Sequence, residues 1–475
     1  MSLHGRAKIV TSVSEVNIGN VISVLNNALA THERNFNDIN YLWGYYRGIQ
    51  PVLQRKKEVR PEICNKIVEN RAAEVVDFKS GYLVGEPIQY VATDGNSDAN
   101  EQIIQLNQFM QMVEKASKDK ELADWFHICG VAYRMVMPSP DYTPTDEDSA
   151  PFDIYVLDPR STFVVYRNDL KQEPLMGVTY VTDDEGHVHY SVYTAREYFE
   201  IVDNKAVRHE PHLMGAVPIF EYDLNVARMG SFEFVLEILD AINTVESNRV
   251  DGIEQYIQAL LLFHNVKIDE EKYKKLREDG AIMFQDIDPS TKAEIKYLND
   301  ALDQSSTQEL VNHMYETVLT ICGMPNRNGG SSTSDTGAAV EMRDGWSSAT
   351  TRAKDTEMMF CVPEKRFLKT VLRICKILAG LTLSVRKLEI RFTRRNFENI
   401  YQKAQVLDML LKNPKLAPRL AIEASGMFVD PEQAYSQSLE YIERAMRMEE
   451  QATAPADPEP KEDNTDEGDD PGSGD

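Results

Sequence analysis

One stretch governs what this chain can become: "SFEFVLEILDAINTVESNRVDGIEQYIQALLLF", residues 231–263. With Glu233 at zero and about 100° per residue, Val235, Leu239, Ile242, Ile253, Tyr256, Ile257 and Leu260 fall at roughly 140° to 240°. Glu233, Glu237, Asp240, Thr244, Asp251, Glu254 and Gln258 fall within roughly 60° of zero. The pattern predicts a helix of about 30 residues and about 45 Å, apolar on one side and acidic on the other. Taken alone, it is satisfied by a core helix with a solvated face. Glu246 and Arg249 complicate this reading, because they project from the apolar side three residues apart. A buried ion pair or a contact between subunits would satisfy them.

The flanking chain predicts an α+β fold. Residues 11–135 look mostly helical, with short strands such as "PIQYVAT". "FDIYVLDP", "TFVVYR", "MGVTYVTD", "HVHYSVYT", "REYFEIVD" and "KAVRHE" then alternate apolar with polar residues, with turn chemistry at Asp183–Gly186 and at Asp203. They predict an antiparallel sheet of about 60 residues, closed by "GAVPIFEYDLN". After the long helix, "HNVKID" reads as a strand, "EEKYKKLRE" as a helix, and "GAIMFQD" with "AEIKYLN" as a strand pair. A second helix opens at "SSTQEL", where Ser306 and Glu309 have capping-box spacing, and ends at "ICGMP". The polar loop "NRNGGSSTSDTG" follows, with no apolar anchor. The next helical pattern carries Pro363, expected to kink it or break it at Val362.

Composition excludes several classes of function. A net charge of −25 argues against a broad basic face that grips nucleic acid. Part of that charge is a tail: Glu449 to Asp475 hold eleven acids against one base, Lys461. So polar a segment is expected to be disordered, as a solubilising or an interaction tail. "VLRICKILAGLTL" is too short for a bilayer and contains Arg373 and Lys376. The N-terminus lacks the apolar core of a signal peptide, so the mature chain is expected to start there, in the cytoplasm of the cell that makes it. Cys64, Cys129, Cys322, Cys361 and Cys375 have no ligand spacing and read as reduced structural thiols.

No GxxxxGK[ST] loop is present, so any motor chemistry belongs to another protein. His187 and His189 share a strand face, with His209 and His212 nearby in sequence, but no carboxylate or Cys stands at ligand spacing. Surface histidines on a hairpin fit better than a metal site. The basic patches "QRKKEVR" and "RRNFEN" read as salt-bridge formers before DNA contacts. Neither a cofactor nor a catalytic residue is expected.

"LWGYYRGIQPVLQRK", "RPEICNKIVENRAAEVVDFKSGYLVGEPIQY" and "GAVPIFEY" followed by "FEFVLEILDAINTVESNRVDGIE" resemble the portal proteins of tailed double-stranded-DNA bacteriophages. The type is the one common in long-tailed phages of Gram-positive hosts, and the likeness runs in order from about Asn40 to about Ile442. It is weakest over the first 35 residues and the acidic tail.

The resemblance implies a portal-type fold, divided as a wing (1–230), a stem helix (231–262), a small α/β clip (263–301) and a second stem helix (302–322). A tunnel loop (323–336), a long kinked helix returning to the wing (337–395), a helical crown (396–446) and the acidic tail (447–475) complete it. It also implies a virion protein that forms a ring of about twelve subunits, or about thirteen when recombinant, at one capsid vertex. Double-stranded DNA would pass through during packaging and ejection, with the terminase large subunit and head-completion adaptors docking beneath and capsid and scaffolding proteins around. No membrane partner is implied.

Glu233, Glu237, Asp240, Asp251 and Glu254 would line the channel. Pro325, Asn326, Arg327, Asn328, Gly329, Gly330, Ser331, Ser332, Thr333, Ser334 and Asp335 would form the loop that meets DNA. Lys267, Asp269, Glu270, Lys274, Lys275 and Arg277 would carry the clip's docking surface. The alternative is a structural adaptor or scaffold of the phage head that forms no ring.

Overall fold

Apolar residues three and four apart, from Val21 to Tyr45, give helix α1 (Val21–Tyr46) two separate jobs. Val21, Val24, Leu25 and Ala28 belong to one core, while Ile39, Leu42 and Tyr45 belong to another. The computed structural model of the chain describes residues 5–93, 97–146, 148–257, 260–264, 294–298, 304–326, 345–394, 400–428 and 431–453. It divides into two units, Met1–Phe397 and Glu398–Asp475, and each is described by itself.

In the first unit a six-stranded sheet has the order β1-β5-β6-β7-β8-β9. Its strands are β1 (Ile9–Thr11), β5 (Thr162–Arg167), β6 (Pro174–Thr182), β7 (Val188–Tyr193), β8 (Glu197–Val202) and β9 (Lys205–Pro211). The alternation in "TFVVYR" does what a period of two requires. Phe163 and Val165 face the smaller core with α1, and Val164 and Tyr166 face the larger one. Asp203 and Asn204 both carry positive φ in the two-residue hairpin between β8 and β9, as a primed turn needs.

The sheet differs from the sequence expectation at both ends. β1 pairs parallel with β5, Ile9 opposite Val165, so residues near the N-terminus are part of the sheet. "FDIYVLDP" and "GAVPIFEYDLN" belong instead to a three-stranded sheet, β10 (Ile219–Asp223), β3 (Val131–Pro138) and β4 (Phe152–Leu157). Its central strand β3 lies in the part expected to be mostly helical, because a strand apolar on both faces but for Arg134 does not reveal its period.

On the three-stranded sheet pack α4 (Lys115–Cys129) and α7 (Trp346–Leu378), with α2 (Arg71–Val84) against those two helices and α3 (Ser97–Met112) against β2 (Gln89–Ala92). The glycine-punctuated "SGYLVGEPIQY" is thus the end of α2 and the start of β2, with Ser80, Leu83 and Tyr90 buried. β13 (Leu388–Arg391) returns to pair with β2. Helix α7 runs unbroken through Pro363, contrary to the expected break at Val362. Phe360, Phe367, Leu368 and Val371 anchor both sides of the proline in the core, which offsets its roughly 3 kcal/mol penalty.

The larger core contains charge. Arg134 of β3 and Glu364 of α7 are fully buried and pair at 2.8 Å. Lys115 and Asp119, one helical turn apart on α4, complete the set: Lys115 Nζ lies 2.6 Å from Asp119 and 3.1 Å from Glu364, and Arg134 also donates to Asp119. Tyr90 and Tyr222 each donate a hydroxyl to Glu364 at 2.6 Å. Two cations and two anions cancel, and each carboxylate has several donors, as buried charge requires.

In the second unit, α8 (Ile400–Leu411) packs on α9 (Pro418–Ser425), and α9 on α10 (Pro431–Thr453). Lys403 Nζ on α8 donates to the carbonyl of Gly426, the left-handed residue that ends α9, at 2.9 Å. Helix α10 continues to Thr453, past residue 447 where the tail was expected to begin. Residues 454–475 lie outside the described residues.

Candidate functional site

The long helix is shorter than its periodicity implied. A turn of 3₁₀ helix at Glu233–Val235 leads into α5 (Leu236–Ile257). "LLLFH" is a strand, β11 (Leu260–His264), paired antiparallel with β12 (Glu294–Leu298). Leu260 therefore leaves the helix's apolar face. "AEIKYLN" is a strand as expected, but its described partner is β11; "GAIMFQD" lies outside the described residues.

A polar ladder runs along α5. The Asn243 Oδ1 accepts from the Glu69 N–H at 2.8 Å, Ser247 Oγ from the Ile67 N–H at 3.0 Å, and Asp251 Oδ1 from the Asn65 N–H at 2.7 Å. The helix residues are four apart and the strap residues two apart. Four helical residues rise about 6 Å and two extended residues span about 6.6 Å, so one period matches the other. The helix side chains thus take the place of a neighbouring strand for residues 65–69. Gln50 extends the set, donating to Asn70 Oδ1 at 3.0 Å and accepting from Asn243 Nδ2. Asn243→Ala would leave the Glu69 N–H and the Gln50 amide short of partners. A loss of about 1–3 kcal/mol is expected in denaturant unfolding.

Four of the five acids assigned to a channel-facing stripe are engaged within the chain. Glu233 is a correction: it is buried, paired with Arg6 at 2.5 Å, and accepts from the Gly230 N–H at 2.7 Å. Burial pushes its carboxyl above the ordinary range, against the pull of Arg6. Asp251 is a second correction, buried with Arg55 at 2.9 Å and Lys57 at 3.1 Å. Burial would raise its pKa, but the Asn65 N–H and side chain, Lys57 and Arg55 outweigh it and lower it. The physical reason is the same in both cases: basic residues far away in sequence come to sit on the acidic stripe. Asp240 is half-buried and accepts from the Tyr45 hydroxyl at 2.8 Å, and Glu254 accepts from Asn65 Nδ2 at 2.9 Å. Glu237 alone of the five is exposed. Glu246 and Arg249 do form an ion pair, at 2.8 Å and half-buried, with Arg249 Nε also reaching Gln304 Oε1.

Helix α6 (Gln304–Cys322) packs against α5 through Val311, Val318 and Leu319. It already includes Gln304, so Ser306 and Glu309 lie inside it and not at its cap. Its C-terminus is sharply closed. Gly323, at φ +66°, donates its N–H to Thr320, and the Met324 N–H donates to Leu319 at 2.8 Å. This pairing requires a left-handed residue at the glycine and brings two buried apolar side chains, Met324 and Leu319, together.

Pro325, buried, follows at once, and Gly345, at φ +83°, precedes α7. A Cβ built on Gly345 would lie 3.7 Å from Pro325 Cα. The chain leaves at Pro325 and comes back beside it at Gly345, so both roots of the intervening segment are held together. Asn326 is half-buried at the first root. Arg327, Asn328, Gly329, Gly330, Ser331, Ser332, Thr333, Ser334 and Asp335 lie outside the described residues, as do Lys267, Asp269, Glu270, Lys274, Lys275 and Arg277.

Four cations of the expected basic patches pair with the chain's own acids: Arg55 and Lys57 with Asp251, Arg60 with Glu62, and Arg394 with Glu357. Three of the four histidines face carboxylates, His187 facing Asp203, His189 facing Asp183 and Glu200, and His209 facing Glu197, while His212 Nε2 lies 3.0 Å from the Thr194 carbonyl. Among the described residues no group of three or more His, Cys, Asp or Glu could hold a metal ion. No helix among them is long and apolar enough to cross a membrane.

The family described as phage portal protein, SPP1 Gp6-like, matches residues 25–452, and the chain belongs to it. The family is structural, without enzymatic activity, and its members are virion components. Two solved structures resemble the fold. "Neck of empty GTA particle computed with C6 symmetry" is 11% identical with a TM-score of 0.47, covering 75% of this chain and 90% of that one. "Neck of native GTA particle computed with C12 symmetry" is 12% identical with a TM-score of 0.43, covering 75% and 89%. A comparison with curated proteins returns no match.

Proposed function

We propose that this portal protein forms a ring of about twelve copies at one capsid vertex and conducts double-stranded DNA inward during packaging and outward during ejection. The observation that carries the reading is that α6, packed on α5, and α7 flank a segment whose roots at Pro325 and Gly345 lie side by side. A loop pinned at both ends by a rigid scaffold changes shape without disturbing that scaffold, which suits contact with a moving helical polymer. Arg327 is the base in residues 325–335 and the candidate for a phosphate contact. Glu237, with Asp240 one turn on and Glu254 farther along the same helix, faces the DNA path in this reading, where acids repel phosphates and lower sticking. Residues 263–301 take the terminase large subunit and the head-completion adaptors. Capsid and scaffolding proteins surround the ring.

Deleting residues 328–334 tests this. Rings are expected to assemble at normal mass, while DNA packaged per procapsid falls at least about tenfold. Normal packaging by intact rings of the deletion variant would remove the loop's role.

A further inference from the structure

Helix α7 carries a second charged feature, opposite in sign to the protein as a whole. Lys365, Arg366, Lys369, Arg373 and Lys376 are all exposed. At about 100° per residue they occupy an arc of about 100°, spread over about 17 Å of helix. Among the described residues none of the five pairs with an acid; Arg373 alone has a stated partner, the Met214 carbonyl at 2.9 Å. They also crowd one another. Lys365 and Lys369, and Lys369 and Arg373, are four apart, and Arg366 and Lys369, and Arg373 and Lys376, are three apart, all spacings at which like charges destabilise a helix. Arg6, Arg55, Lys57, Arg134 and Arg228, by contrast, pair with the chain's own acids. The five on α7 are kept apart from acids at a cost to the isolated helix.

The stripe adjoins apolar surface. Arg366, Lys369 and Arg373 line a cavity of about 340 Å³ that Val217, Ile219 and Phe220 also line. Its two acids are already committed, Glu173 to Arg167 and Glu221 to Arg228. Arg373 lies over Gly215, where an added Cβ would meet its Nη1 at 1.5 Å, so the glycine makes room for the cation. Met358 and Val362, 64% and 57% exposed, continue the same helix face toward the N-terminus. Phosphates would match the cations but gain nothing from Met358, Val362 or the apolar cavity wall.

We propose that the exposed face of α7, from Met358 to Lys376, is an interface with the next copy of this chain, which covers it with an acidic, partly apolar surface. The inference rests on the ring proposed above. Charge selects the occupant. Without these five cations the chain carries −30 in place of −25, so the rest of a second copy is net acidic. A ring joins copies through two different patches, so a basic patch is expected to meet an acidic one and not its own image.

The test is native mass spectrometry of the full chain at low salt, comparing wild type with Lys365→Glu/Lys369→Glu/Lys376→Glu. Wild type is expected as rings. The triple variant is expected to lose at least about tenfold in ring fraction while its circular-dichroism melt holds or rises. Lys365→Arg/Lys369→Arg/Lys376→Arg should keep the rings. Should the Glu triple not fold, the Gln triple gives the same reading, as rings that dissociate at lower salt than wild type. Equal ring fractions in wild type and the folded Glu or Gln triple would overturn the interface and leave the ring standing. Intact rings with weakened duplex-DNA binding would overturn it in favour of a polyanion site. A wild type that forms no ring would overturn both.

Discussion

Glu364→Ala is expected to cost the first unit about 3–5 kcal/mol, enough to unfold a marginal domain. The substitution removes one of two anions from a fully buried set and leaves Lys115 and Arg134 to share Asp119. It also strands the Tyr90 and Tyr222 hydroxyls, which both donate to Glu364. The readout is a lower denaturant midpoint at unchanged slope. The same site gives stability a pH dependence. Burial alone would raise the Glu364 pKa, but Lys115, Arg134 and the two hydroxyls outweigh it and hold it at about 2, against 4.5 for a free glutamate. A carboxyl depressed on folding contributes its full stability above about pH 4.5 and loses it as pH falls toward 2. Glu364→Gln should flatten that acid loss. A steep loss retained between pH 4.5 and 2 in the Gln variant would place its origin elsewhere.

Deleting residues 1–12 should be nearly as damaging, although the family match begins at residue 25. Arg6 and Glu233 pair with both side chains at 0% exposure, and Arg6 also donates to the Cys129 carbonyl at 3.1 Å. The Arg6 carbonyl accepts from Arg228, and Ala7 exchanges two 2.8 Å bonds with the side chain of Asn35. Truncation leaves Glu233 buried without its cation, a loss of about 3–5 kcal/mol, and uncovers the edge of β5. Arg6→Ala should reproduce most of the loss without removing the strand. A truncated chain that melts within a degree or two of wild type would contradict this.

The sequence made the outer strands and the long amphipathic helices legible because each shows its period directly. "HVHYSVYT" alternates, with Val188, Tyr190 and Val192 two apart; α1 and α5 repeat every three to four residues. It hid whatever depends on partners far away in sequence. "VAYRMVMP" is apolar on both faces and reads equally well as a buried helix, so β3 was missed. The acidic stripe on α5 looked like a wet face because Arg6, Arg55 and Lys57 lie more than 190 residues away. A signal for the buried charge set was present: Glu364 occupies the apolar face of α7 between Phe360 and Phe367, and a charge there needs an opposite one. Asn243, Ser247 and Asp251, polar at four-residue spacing, gave a similar signal for the strap. That Pro325 and Gly345 lie side by side could not be read from composition, because the contact depends on tertiary packing.

The ring is the central claim, and native mass spectrometry with negative-stain imaging of the purified chain tests it most directly. A particle of about twelve times 54.0 kDa with a central hole is the expected result. A stable monomer or dimer of 54.0 kDa chains across low and high salt would contradict it. In that case α5, α6 and the rooted loop would belong to an adaptor of the phage head that encloses no channel.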